Sequence, residues 1–505
     1  MNAEVLIAGA GPTGLTAAIE LARRGVAVRI VDRADQFSVG SRGDGMQPRT
    51  QEVLEDLGVL DQIRQSGIGA PLMRMYAGDE VTWEGRMAEP VDPRPDVPYP
   101  NAWFVPQWRT EQILRERLAD LGVRVELSTA LVGFEQDATT GVTATLERDG
   151  GAEVVRVSYL VGADGGRSVV RKTLGISFVG ETDEQVRMLL ADVRTDGLNH
   201  DLGHGWMLDD GRAFFGFTPL ASGPDHYVIA TQGVAGEEPD LSLDYLQRTL
   251  EKASGRTDIR LHDLTWITLW RPNIRMAERF RDGRVFLAGD AAHVHPPTGG
   301  QGLNTGIQDG YNLGWKLAAV LGGAPAELLD SYEAERVPVA EQVLGVSTTL
   351  LKKHLDGDAD ANQRGEETQQ LGLSYRQGPL AVDDRSNATG LVAGDRAPDA
   401  PCLDADGRPV RLFELFVGPH WTLLRFGSAA PDNSAVESYE IGSGIFDAYG
   451  HAARAYDVPA GTSVLVRPDG YVGLVTSSAA TLEAYLGRVI AMEPELSDPG
   501  RTVSA

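Results

Sequence analysis

Two glycine-rich stretches, almost three hundred residues apart, carry the chemistry-bearing residues of this 505-residue chain. The first is Gly9-Ala10-Gly11-Pro12-Thr13-Gly14, directly behind the apolar run Val5 to Ala8. The second runs Gly289-Asp290-Ala291-Ala292-His293-Val294-His295-Pro296-Pro297-Thr298-Gly299-Gly300-Gln301-Gly302-Leu303-Asn304-Thr305-Gly306. In the first, Gly9 permits a tight turn, Gly11 lets a phosphate approach the backbone, and Gly14 lets helix and strand pack closely. The N–H groups and positive dipole at the following helix N-terminus suit a pyrophosphate. Asp32, at the end of the next apolar run, can accept hydrogen bonds from ribose hydroxyls. The second stretch sets the carboxylate of Asp290 ahead of the glycine-rich loop Gly299-Gly300-Gln301-Gly302. Together they describe a long two-headed cofactor, its nucleotide end at the N-terminus and its ring end at the distant loop.

The elements that must position these residues follow from the pattern. Residues 3–8 read as a buried parallel strand, 12–25 as a helix with Leu15, Ala18, Ile19 and Ala22 on one face, and 26–31 as a second strand ending at Asp32. That is the opening of a dinucleotide fold. A helix is expected over 109–121 and strands over 123–127, 131–136, 142–147 and 154–161, the last leading into Gly162-Ala163-Asp164-Gly165-Gly166-Arg167-Ser168. From 188 to about 271 short alternating segments predict an inserted, mostly antiparallel sheet, with Asp209-Asp210-Gly211 as a hairpin turn. Residues 285–288 return to a parallel strand and 306–321 to a helix. The expected division is 1–175 with 273–353 as the nucleotide-binding domain, 176–272 as the inserted sheet domain, 354–394 as a polar linker, and 395–505 as a third α/β unit.

Composition narrows the function classes. The apolar share, 42 %, is enough for real cores. A net charge of −26 argues against binding to nucleic acid or anionic membrane. Cys402 is the one cysteine, which rules out an intramolecular disulfide and a thiolate zinc cluster. The first strand begins almost at once, leaving no room for a signal peptide, and no apolar run approaches the roughly 20 residues of a membrane span. A cytoplasmic protein is the expectation.

The ordered set GxGxxG, Asp164-Gly165 and Gly289-Asp290, together with the run Pro296 to Asn304, resembles the class A flavoprotein aromatic hydroxylases, the para-hydroxybenzoate hydroxylase family. The likeness spans nearly the whole chain and is nearest to the branch acting on phenols and aromatic polyketides in actinobacterial antibiotic pathways. It implies non-covalent FAD. Asp32 and Arg33 would lie at the adenosine ribose, and Arg42 would open a segment running along the cofactor to Met46. Gln107 would lie near the ribityl chain and Asp290 would accept from a ribityl hydroxyl. Gly299 to Gly302 would pass the isoalloxazine edge. The N–H groups of Leu303 and Asn304 would stabilise charge on reduced flavin, and Pro297 would line the pocket. Asp164 and Arg167 belong to a motif with both FAD and nicotinamide contacts. His293 and His295 fall inside a motif that binds no metal, so no metal is expected.

The resemblance implies that NADPH, in preference to NADH, reduces the flavin and that O2 adds at flavin C4a to give a hydroperoxide. That species would hydroxylate an electron-rich phenolic or polyketide ring. Baeyer–Villiger-type insertion and antibiotic-inactivating oxygenation stay open on the same scaffold. A non-catalytic binding protein of the same fold, as in the Rab GDP-dissociation inhibitors, is opposed by the intact Asp290 and flavin loop. No catalytic base is named by the sequence. Phe215 and Phe217 share one face of their strand, as substrate wall or as sheet core, and Trp206, Pro219 and His226 are weaker wall candidates. Trp103 and Phe104 read as core. The third unit resembles the thioredoxin-like C-terminal domain of the phenol hydroxylase branch. Its turn Phe426-Gly427-Ser428-Ala429-Ala430-Pro431 has no cysteine, so it should be redox-dead and serve packing or homodimerisation.

Overall fold

The computed structural model describes residues 3–182, 187–208, 213–232, 240–271, 273–296, 299–356, 363–386, 388, 390–428 and 434–490. Val5–Ala8 is buried at every position and pairs in parallel with Val28–Val31 on one side and Tyr159–Gly162 on the other. Val285–Leu287 extends this sheet in parallel, and Arg281–Asp282 closes its edge antiparallel. A continuous apolar run forms a strand here because helices cover both faces. The Pro12–Ala22 helix packs between Gly302–Leu321 and Gln107–Asp120. Gly14 is required at its place, since a Cβ would strike the Gly9 carbonyl.

The inserted sheet has seven strands, in the order Arg260–Trp270, Met188–Asp196, His226–Thr231, Ala213–Pro219, Leu202–Leu208, Leu72–Ala77 and Glu80–Gly85. Its pairs are antiparallel except where Leu202–Leu208 meets Leu72–Ala77 in parallel. Two strands are thus contributed by 72–85, from within the segment read as nucleotide-binding. The amphipathic helix Leu243–Ser254, capped by the Ser242 hydroxyl, lays Tyr245, Leu246 and Leu250 on one face of this sheet. The hairpin turn expected at 209–211 lies outside the described residues. No helix among the described residues is long and apolar enough to cross a membrane.

The C-terminal unit is a five-stranded sheet with Trp421–Phe426 and Thr462–Val466 at its centre. Val382–Asp383 forms its edge, so the last part of 354–394 pairs into this unit. Its turn at 467–470 plugs into the nucleotide-binding domain. Arg467 makes two bonds to Glu335, of 2.7 and 2.9 Å, and two to Asp469, of 2.9 and 2.6 Å. Lys316 reaches Glu335 at 2.7 Å, and the Trp315 indole donates to Asp469 at 3.0 Å. All these side chains are buried. Burial opposes every charge here, yet Arg467 and Lys316 hold the Glu335 carboxyl down at about 2, while Lys316 falls to about 8. Removing one member leaves charge without a counter-ion in a dry site. Glu335→Ala is therefore expected to cost about 3–5 kcal/mol. Thermal melting checks this, with an unchanged melting temperature as the contrary result.

Candidate functional site

A cleft of about 1940 Å³ opens between the parallel sheet, the inserted sheet and the segment following the long helix Asp330–Asp356. Gly11 lies at one end, where a side chain would meet nothing within 4 Å. Arg33 and Arg42 line the same region and are solvent-exposed. Asp32 stands behind it, its carboxylate accepting from Ala10 N at 2.8 Å and Ala34 N at 2.9 Å, which fixes the glycine turn. Seven arginines line the cleft against five carboxylates. On a chain of net charge −26 this makes the cleft the favourable place for an anionic ligand.

Along the floor, Gln107 begins the Gln107–Asp120 helix and accepts from Gly43 N at 3.2 Å, tying down the segment after Arg42. Met46 is not at the cleft. It is fully buried in the core, because its strand Gly45–Met46 pairs with Trp103–Phe104 and turns the thioether inward. Arg42, Gly43, Asp44 and Gly45 line the cleft instead, and burial pushes the Asp44 carboxyl up to about 6. Asp164 caps the short helix Val169–Thr173 through Val169 N at 2.7 Å and leaves its other oxygen buried without a partner. Asp290 projects into the cleft from a one-turn helix, Gly289–Ala291. Its carboxylate is open to the cleft but crowded by protein, and the resulting desolvation raises its pKa against the pull of His293 and Arg42.

The turn carrying Asp290 is held from behind by Asp309. That carboxylate accepts from Gly289 N at 2.9 Å, His293 Nε2 at 2.7 Å and Arg336 Nε at 2.6 Å. Burial alone would raise it, yet Arg336 and His293 bring it down to about 2. His293 is thus an orienting group, and His295 beside it is pushed down to about 4 by burial. At the ring end, Gly299, Gly302 and Leu303 line the cleft at the N-terminus of Gly302–Leu321, where backbone N–H groups lack helical partners. Asn304 does not face the cleft. Its buried amide accepts from Gln47 N at 2.8 Å and donates to Gly45 O at 2.8 Å and Gly300 O at 2.7 Å, clamping two walls together. Pro297 lies outside the described residues.

The aromatic wall is corrected by the structure. Trp206, Phe215 and Phe217 are fully buried in the core between the inserted sheet and Leu243–Ser254. The helix covers that face, so the neighbouring position Thr218 lines the cleft instead. Pro219 is likewise buried away from the cleft, and His226 faces Ser222. Residues not foreseen as lining include Leu190, Thr268 and Trp270 of the sheet. Trp103 and Phe104, read as core, also line the cleft. Residues 363–370, read as linker, form a strap over the 299–302 loop. Arg364, Gly365, Thr368 and Gln369 line the cleft, and Gln370 donates to Gln301 at 2.7 Å while Gln301 donates to Thr368 O at 3.0 Å.

The FAD binding domain family matches residues 2–347, and the family described as aromatic-ring hydroxylase, C-terminal, matches 391–492. The chain belongs to the FAD-dependent monooxygenases that these two families define. It is similar to a flavin-dependent monooxygenase of Mycobacteroides abscessus, 48 % identical over 96 % of this chain and 100 % of that protein. A 12-dehydrotetracycline 5-monooxygenase/anhydrotetracycline 6-monooxygenase of Streptomyces rimosus is 36 % identical over 94 % of this chain and 95 % of its own. Among solved structures, a ternary complex of aklavinone-11 hydroxylase with FAD and aklavinone superposes with a TM-score of 0.84 at 31 % identity, covering 97 % of this chain and 100 % of that one.

The core position of Phe217 has a measurable consequence. Phe217→Ala should lose about 3–5 kcal/mol of stability through the cavity it leaves. Melting temperature is the readout. A variant that melts normally would overturn the core placement of Phe217.

Proposed function

We propose that this chain binds FAD along the cleft and hydroxylates an electron-rich aromatic ring, phenolic or polycyclic, with NADPH and O2. The observation that carries the reading is one continuous cleft joining the Gly11 turn to the Gly299–Leu303 loop, large enough for a dinucleotide and a second molecule beside its ring. Bound flavin supplies reduction by NADPH and oxygen activation. The chain's own residues bind, orient and exclude water. The Gly11 turn and Arg33 hold the adenosine and pyrophosphate end, and Arg42 holds the pyrophosphate or the incoming nicotinamide cofactor as a delocalised donor. Asp290 accepts from the ribityl chain. The N-terminus of Gly302–Leu321 stabilises negative charge at the ring's polar edge.

The substrate lies against Leu190, Thr218, Thr268 and Trp270, with the 363–370 strap and Trp103 closing the other side. These surfaces set the apolar side chains of Leu190, Trp270 and Trp103 beside the hydroxyls of Thr218 and Thr268 and the polar strap, suited to a flat aromatic held by burial at roughly 25 cal/mol per Å² and oriented by its own polar substituents. Close placement of the ring decides whether oxygen is transferred or lost as peroxide. The 12-dehydrotetracycline and anhydrotetracycline named for the Streptomyces rimosus relative and the aklavinone complex support this class of substrate for the present chain. The matching C-terminal family supports the same reading.

Three experiments test it. Asp290→Ala should weaken FAD binding about tenfold or more, since the lost bond has a charged acceptor. FAD titration with unchanged affinity would remove Asp290 from the site. Arg42→Ala should slow flavin reduction by NADPH more than it disturbs the oxygen half-reaction, read by stopped flow. An NADPH-oxidation screen against phenols and polycyclic quinones, with product mass measured, identifies the substrate. No gain of one oxygen in any product would defeat the hydroxylase reading.

A further inference from the structure

Five non-glycine residues among the described residues hold a positive φ. Ser128, Asp149, Asp263 and Asp457 are exposed and carry short polar side chains, which bond locally and tolerate that backbone. The fifth, Gln370 on the strap, has a φ of 61° and is buried. A long side chain in this conformation costs energy. Such strain persists only where the surroundings over-determine it, and it collects at functional sites.

The Gln370 amide makes three hydrogen bonds. Its Nε2 donates to Gln301 Oε1 at 2.7 Å and to Thr305 Oγ1 at 3.2 Å, and its Oε1 accepts from Gln308 Nε2 at 2.6 Å. Both of its N–H groups are therefore used. Turning Gln370 to an ordinary negative φ would swing the amide away from all three partners. The Gln301 amide is fixed in turn, because its Nε2 donates to Gly299 O at 2.7 Å and to Thr368 O at 3.0 Å. Those carbonyls can only accept, so the Gln301 oxygen must be the atom that meets Gln370.

The relay ends on a turn with little stiffness of its own. Gly299 and Gly300 take φ of +94° and +62° in succession, and glycine has the widest backbone freedom of any residue. Gly299, Gly300 and Gln301 line the cleft, as does Thr368 on the strap. Gly299 O has one further donor, Gln47 Nε2, at the longer distance of 3.2 Å, and Asn304 Nδ2 holds Gly300 O at 2.7 Å.

We infer that Gln370 is a positioning residue, strained on the strap so that its amide, acting through Gln301, fixes the Gly299–Gly300 turn in the wall of the cleft. Thr368 gives the strap a second hold on the same Gln301 amide, so strap and turn are placed together. The backbone strain at Gln370 is the cost of aiming one amide at three partners. Only the consequence for FAD rests on the function proposed above.

The test is hydrogen exchange over residues 299–306 in the purified full-length protein, with and without added FAD. Gln370→Gly keeps the left-handed backbone free of strain, and Gln370→Met keeps most of the side-chain bulk, but both lose the amide. Without FAD, each should raise exchange over 299–306 by about tenfold. The Trp421–Phe426 strand should exchange as in wild type. In a Gln301→Ala background, which cuts the relay one step later, adding Gln370→Gly should raise exchange by less than about twofold. If one single variant does not fold, the other decides. Wild-type exchange over 299–306 in either folded variant, or a fully additive effect in the double variant, overturns the inference. FAD titration of Gln370→Gly should show binding weakened about threefold to tenfold. Faster exchange with unchanged FAD affinity would sustain the positioning of the turn and remove the turn from the cofactor site.

Discussion

Four buried charges, Lys316, Glu335, Arg467 and Asp469, form the constraint on which the rest of the architecture leans. Two positive and two negative groups meet where water does not reach, so each is tolerable only with the others present. The geometry is strict, because a planar guanidinium must meet two carboxylates at once. It fixes the C-terminal unit on the nucleotide-binding domain with little freedom to slide. Arg49 adds a bond to the Asp469 carbonyl at 2.6 Å, and Tyr311 one to Pro468 O at 3.1 Å.

The Gly302–Leu321 helix transmits that constraint to the cleft. Its first turn holds the 299–302 loop through Asn304, its middle holds the Asp290 turn through Asp309, and its later turns hold the C-terminal unit through Asn312, Trp315 and Lys316. Nearly all of its residues up to Ala318 are buried. A helix buried on all sides is usually apolar, whereas this one spends its polar side chains as fixed connectors. Displacing it at one end would move the backbone that lines the cleft at the other.

Much of the fold around the Gly11 end of the cleft was legible in the sequence because its signals are local. The glycine turn, the strand before it, the helix after it and Asp32 lie within one short stretch, and each follows from backbone geometry. The Asp164 and Asp290 turns were visible for the same reason. The substrate side was not, because it depends on which face of a strand a distant helix covers. Phenylalanines stand at 214, 215 and 217, so alternation alone could not say which face was dry, and Leu243–Ser254 decides it. The strands of 72–85 join the inserted sheet by a parallel pairing across more than a hundred residues, which no local pattern announces. The strap at 363–370 has the composition of a linker, and only its glutamine contacts reveal it as a wall. Met46 shows the finer difficulty, since the residues just before it line the cleft while its own side chain points into the core.

The strap at 363–370 leads into the C-terminal sheet by way of Val382–Asp383, so the cleft borrows one wall from the approach to that unit. A third unit without redox cysteines thereby has a reason to persist. It anchors the far end of a segment that has too little core of its own to stay folded across an opening. The cleft is thus enclosed from two directions, and a shift of the C-terminal sheet would be felt first at the strap that leads into it.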